Sequence, residues 1–113
     1  MAEFTELSTH EIQNSIDDKN SIIIDARPVD AYNGWRLQNE KRGGHIKGAK
    51  SLPAKWTRYM DWIEIVHHKN IFPENKIIIY GYSKNEIETV AKLFGKMGFD
   101  EVYVYNKFLD EWS

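Results

Sequence analysis

Residues 77–89 read IIIYGYSKNEIET, and how this stretch folds decides the architecture. Three β-branched isoleucines and a tyrosine form a short run of the kind found in buried strands. The run ends at Gly81. From about Lys84 the apolar spacing changes: Ile87, Val90, Ala91, Phe94 and Met97 recur three and four residues apart, the period of an amphipathic helix. Gly98 then supplies a C-terminal stop. A strand, a short turn and a helix in that order make half of a parallel βαβ unit. The turn stands at the carboxyl end of a strand and ahead of a helix N-terminus, where α/β proteins place their chemistry. Yet it contains no Cys, no His and no Gly-x-Gly-x-x-Gly pattern.

The same alternation extends in both directions. STHEIQNSIDD (8–18) opens with Ser8 and carries Glu11 three residues on, a capping box. Ile12 and Ile16 share one face, which predicts a helix over 9–17. SIIIDA (21–26) is a second continuous apolar run, ending at Asp25, and suits a strand covered on both faces. Pro28 to Tyr32 reads as a short turn or helix. Residues 33–48 are polar and glycine-rich, a surface loop in which Gly43, Gly44 and Gly48 permit positive φ. AKSLP (49–53) has the look of a short strand end. Pro53 fits the start of a helix running to Asn70, with Trp56, Met60, Ile63 and His67 at helical spacing. EVYVY (101–105) is a further strand, and FLDEW (108–112) a closing helical turn. Strands alternating with helices imply a parallel sheet with helices on both faces.

Composition sets limits without naming a function. The 113 residues suffice for one domain over 1–113, and such a chain buries roughly two-thirds of its unfolded surface. Net charge is −2. Arg36, Lys41, Arg42 and Lys47 cluster near one loop, but Glu40 interrupts them, which argues against nucleic-acid binding. No apolar run approaches the ~18 residues of a membrane span, and no leader peptide is visible, so a cytoplasmic location is expected. The absence of cysteine excludes a disulfide framework, a thiolate metal site and a thiol nucleophile within these residues.

Asp25, Arg27, Asp30 and Tyr32, followed by Gly44, His45, Ile46, Gly48, Ala49, Leu52 and Pro53, match in order the first half of a rhodanese domain. The layout of the second half also resembles that family, through the helix ending in Met97–Phe99, the VYVY strand and the final FLDEW. The resemblance implies a rhodanese-like three-layer α/β/α fold around a five-stranded parallel sheet. It also implies transfer of a sulfane sulfur, from thiosulfate or a similar donor, through a cysteine persulfide. That cysteine stands at the carboxyl end of the fourth strand and begins a loop whose N–H groups cradle the charged sulfur. A thiolate is the nucleophile, and oriented N–H groups lower its pKa and hold the anionic donor.

Counting back from Gly98–Phe99 places the family's cysteine position on Gly81, so no catalytic residue is expected. Active members usually place glycine and Arg, Ser or Thr in the loop that follows; here it reads Tyr82, Ser83, Lys84, Asn85 and Glu86, with one Lys set against its acids. Glu86 and Glu88, read as lying in the first helical turn, would repel a thiosulfate dianion. Asn106 and Lys107 replace a later glycine pair. The loop is expected to be a degenerate active site, and Asp25, Arg27, Gly44, His45, Gly48 and Ala49 a structural motif.

Plainer roles suit several other residues. His45 suits a structural bond to nearby backbone better than catalysis or metal binding. Glu64 and His68 lie four apart and could form a weak metal pair, but a solvated helix end explains them as well. Asp25 and Arg27 read as an ion pair or loop anchor. Of the four tryptophans, Trp35 is the one in the polar loop, and it is either the loop's apolar peg or a partner-binding anchor. No cofactor, metal, nucleic acid or membrane is expected. The expected role is a non-catalytic structural or regulatory module associated with a thiosulfate sulfurtransferase, partnered by an adjacent catalytic rhodanese domain. The alternatives are a free-standing domain that uses the former active-site loop to bind a protein partner or small ligand, and an enzyme using other residues of the old pocket. The related phosphatases need a cysteine too.

Overall fold

The computed structural model describes residues 4–18, 20–38, 44–54, 62–69, 71–72 and 74–108, with Trp62, Ile63 and His67 described by their backbone alone. Five strands form one parallel sheet: β1 (Thr5–Glu6), β2 (Ser21–Asp25), β3 (Lys50–Ser51), β4 (Lys76–Tyr80) and β5 (Val102–Tyr105), in the order β1-β5-β4-β2-β3. Among the described residues four helices connect them: α1 (Thr9–Ser15), α2 (Val29–Tyr32), α3 (Trp62–His68) and α4 (Lys84–Lys96).

The isoleucine runs sit at the centre because they are apolar on both faces. Strand side chains alternate, so neighbouring isoleucines serve opposite layers. Ile24, Ile77 and Ile79 pack with Val90, Ala91 and Phe94 of α4 and Val66 of α3. Ile23, Ile78 and Tyr80 pack with Ile12 of α1, and with Ile46, Ala49 and Phe108. This is the three-layer arrangement expected from the sequence. Burying Phe94 and the central isoleucines contributes about 1.5–3 kcal/mol each.

Three sequence expectations are corrected or fall outside the description. The first helix ends at Ser15, with Ile16 as its C-cap, rather than at residue 17. Strand β1 is unforeseen: both its residues are exposed, and it exists through pairing with β5, Thr5 opposite Tyr103 and Glu6 opposite Val104. The part of the long helix expected from Pro53 that includes Trp56 and Met60 lies outside the described residues, as does most of the closing turn 108–112; the helix is described as α3. Among the described residues no helix is long and apolar enough to cross a membrane.

Topology places a crevice. From β2 the chain moves outward to β3, whereas from β4 it moves the other way to β5. The connections leaving these adjacent strands therefore part, and a gap opens at their carboxyl ends, the position open α/β sheets use for ligands. Asp25 and Tyr80 end the two strands in direct register, and Gly81 follows.

Candidate functional site at the carboxyl ends of β2 and β4

A buried ion pair organises the crevice. Asp25 and Arg27 are both fully buried. The Arg27 backbone N–H donates to Asp25 Oδ1 at 2.9 Å, its Nε to the same oxygen at 3.0 Å, and its Nη2 to Oδ2 at 2.7 Å. The fork geometry of guanidinium on carboxylate makes this a strong pair. Burial works against the charge on Arg27, and the hydrogen bonds and charge of Asp25 overcome it, so its pKa stands above the ordinary value. The guanidinium also lies over the rings of Phe108 at 4.5 Å, Tyr82 at 5.4 Å and Tyr80 at 5.5 Å.

The pair fastens the glycine-rich segment to the sheet. Arg27 Nη2 donates to the Gly44 carbonyl at 2.6 Å. Tyr80 donates its hydroxyl proton to Asp25 Oδ2 at 2.7 Å and accepts from the Ile46 N–H at 3.1 Å. Burial first, and the Asp25 carboxylate second, push the Tyr80 phenol far above its ordinary pKa, so it remains a donor. Tyr32 donates to the Ala49 carbonyl at 2.7 Å, and the His45 ring stacks on Tyr32 at 3.8 Å with Nδ1 2.9 Å from the Tyr32 carbonyl. Gly44 and Gly48 both take positive φ, 92° and 82°, which favours glycine at each. Asp25, Arg27, Gly44, His45 and Ala49 are thus drawn together by hydrogen bonds and one stacked ring pair. Tyr80, which sequence reasoning treated as an apolar strand residue, is the side chain that joins the motif to β4.

The loop after β4 lies on the α4 side and meets the ion pair through the Tyr82 ring. Gly81 is buried at the strand end. Ser83 is the N-cap of α4, its Oγ accepting from the Glu86 N–H at 3.2 Å. Lys84 and Asn85 are exposed. The Glu86 carboxylate turns back and accepts the Tyr82 N–H at 2.9 Å. Burial pushes the Glu86 pKa up, the Tyr82 hydrogen bond pulls it down, Asp25 raises it, and Arg27 lowers it; the net direction is upward. One expectation is corrected: Glu88 does not share the first turn with Glu86. It lies in the second turn, where its Oε2 is 3.9 Å from Lys84 Nζ, so its charge is partly answered there.

The remaining candidates lie elsewhere. Glu64 and His68 are exposed on α3, and among the described residues no group of three or more His, Asp or Glu could hold a metal ion. Trp35 follows α2 and is 67% exposed. Asn106 follows β5, and its Oδ1 is buried without a hydrogen-bond partner among the described residues. Chemically, the crevice offers donors and a buried carboxylate, but at Gly81 it has no side chain to attack a donor or hold a sulfur.

Comparison with known proteins agrees with this geometry. The model of the rhodanese-like domain matches residues 8–113. The thiosulfate sulfurtransferase YnjE of Escherichia coli (strain K12) is 25% identical over 103 residues, covering 88% of this chain and 23% of YnjE. The wild-type structure of EanB superposes with a TM-score of 0.94 at 45% identity, over 97% of this chain and 26% of EanB. An anaerobic ergothioneine biosynthesis enzyme from Chlorobium limicola, in complex with trimethyl histidine, gives a TM-score of 0.94 at 44% identity with the same coverage. The chain spans about a quarter of the length of each of these proteins. With the family match running from residue 8 to residue 113 and the fold agreeing over nearly the whole length, the chain belongs to the rhodanese-like domain family.

Proposed function

We propose that this chain is a non-catalytic rhodanese-like module of a longer, cytoplasmic sulfurtransferase, where it supports or regulates a neighbouring domain that carries the sulfur. The observation behind this reading is Gly81. It stands at the carboxyl end of β4, where the family places its cysteine, and the chain has no cysteine at all. Sulfur relay needs a thiolate, and Ser83, the serine of the loop, is engaged as a helix cap. The relatives supply the context. YnjE is a thiosulfate sulfurtransferase, and one structure of EanB holds ergothioneine linked to a cysteine persulfide. Both are about four times as long as the stretch that matches this chain.

A module of this kind needs a contact surface. The loop after α2 exposes Trp35 and, 46% exposed, Leu37, two apolar residues close in sequence. Aromatic anchors of this type carry a large share of interface energy, and we assign the interdomain contact to them. The same pair favours the second reading, a free-standing domain that binds a protein partner.

Expression of the full gene product with residues 8–113 deleted in frame distinguishes the readings. The deleted protein is expected to keep its cysteine persulfide and to lose thermal stability or turnover. Loss of the persulfide itself, or a gene encoding no further domain, would contradict the proposal.

A further inference from the structure

Loss of a cysteine side chain would leave a space above the β4–α4 loop, and here Glu86 fills it. The backbone at Gly81 does not take the left-handed φ that calls for glycine. A β-carbon at residue 81 would instead meet Glu86 Oε1 at 2.5 Å, with Ile87 Cγ1 at 3.3 Å and Glu86 Cδ at 3.4 Å behind it. The obstacle to a side chain there is therefore a carboxylate oxygen.

Ordinary helix capping does not account for this placement. In α1, Ser8 and Glu11 form a reciprocal box: Glu11 Oε1 accepts from the Ser8 N–H at 2.9 Å, that of the cap residue itself. In α4 the sequence Ser83-x-x-Glu86 offers the same box, but only its serine half is made, Ser83 Oγ accepting from the Glu86 N–H. Glu86 reaches one residue further and takes the Tyr82 N–H. Tyr82 directly follows Gly81, the position where the count from Gly98–Phe99 puts the family's cysteine, and on that reading its N–H is one of the loop donors that would face a bound anion. A carboxylate oxygen satisfies that donor and brings the negative charge such a cradle is built to hold.

We propose that Glu86 is a built-in occupant of the loop's anion cradle, keeping it closed to small dianions such as thiosulfate, and that shortening this side chain opens it. The proposal rests on reading the β4–α4 loop as the counterpart of the family's sulfur-carrying loop, and not on the module's role in a longer protein.

The test is an amide NMR titration with sodium thiosulfate at constant ionic strength, on the wild-type chain and on Glu86→Ala. The variant is expected to show saturable shifts at Tyr82 and Ser83, with affinity at least about tenfold above wild type, given two like charges a few ångströms apart. Equal responses in the two proteins, whether both bind or neither does, would overturn the proposal. A second measurement needs no variant. In the wild type the Tyr82 amide is expected to follow the titration of one carboxyl above the ordinary glutamate range, and a Tyr82 amide without that step would overturn it equally. Sulfur transfer by the wild-type chain would refute the non-catalytic reading and leave both readouts of Glu86 intact.

Discussion

Replacing Asp25 with alanine is expected to destabilise the domain by about 3–5 kcal/mol, because it strands a fully buried guanidinium. Among the described residues Arg27 would keep the Gly44 carbonyl and the faces of Phe108, Tyr80 and Tyr82. Neither replaces a carboxylate that accepts three of its N–H groups. Tyr80 would lose its acceptor as well. The effect extends beyond β2, since Arg27 and Tyr80 together hold the segment from Gly44 to Ile46 on the sheet. Urea denaturation checks this. A loss of the expected size that is insensitive to salt marks a buried pair. A loss below about 1 kcal/mol would mean that Arg27 reaches water.

Introducing cysteine at residue 81 is expected to give almost no sulfurtransferase activity by itself. The new β-carbon would displace the end of the Glu86 side chain, which can turn, so the variant folds. The carboxylate would still stand within a few ångströms of the thiol. A like charge at ~4 Å costs roughly 1–4 kcal/mol, which disfavours both the thiolate and an approaching thiosulfate. The double substitution Gly81→Cys with Glu86→Ala is therefore expected to react at least about tenfold faster than Gly81→Cys alone. In that reaction the thiolate attacks the outer sulfur of thiosulfate, the S–S bond breaks, and sulfite leaves with the electron pair. Thiocyanate formation from thiosulfate and cyanide reports the turnover. Family-level activity from Gly81→Cys alone would show that Glu86 does not hold the loop closed.

Much of this architecture is legible in the sequence, for physical reasons. The runs 22–24 and 77–79 are apolar on both faces, which suits only a covered central strand, and they became β2 and β4. The spacing from Ile87 to Met97 marked α4. Strand β1 was not legible, because two exposed residues carry no pattern and the pairing partner lies almost a full chain away. The hydroxyl of Tyr80 was hidden for a different reason. Its position in an isoleucine strand advertises an apolar role, and its bond to Asp25 exists only through strand register.

Glu86 was read as a repelling charge at a helix start, when it is also a ligand for the loop. A signal was available. Helical side chains lean toward the N-terminus, so a glutamate three residues after an N-cap serine can reach back over the preceding turn. Which N–H it takes depends on the path of residues 81–83, and spacing alone does not fix that path.

The most direct measurement is a donor assay on the purified wild-type chain: thiosulfate with cyanide for turnover, and thiosulfate alone followed by intact-mass spectrometry. With glycine at residue 81 and no thiol anywhere in 113 residues, no thiocyanate above the protein-free rate and no added mass are predicted. Turnover, or a gain of one sulfur atom on the chain, would contradict the claim that this domain keeps the rhodanese framework without its chemistry.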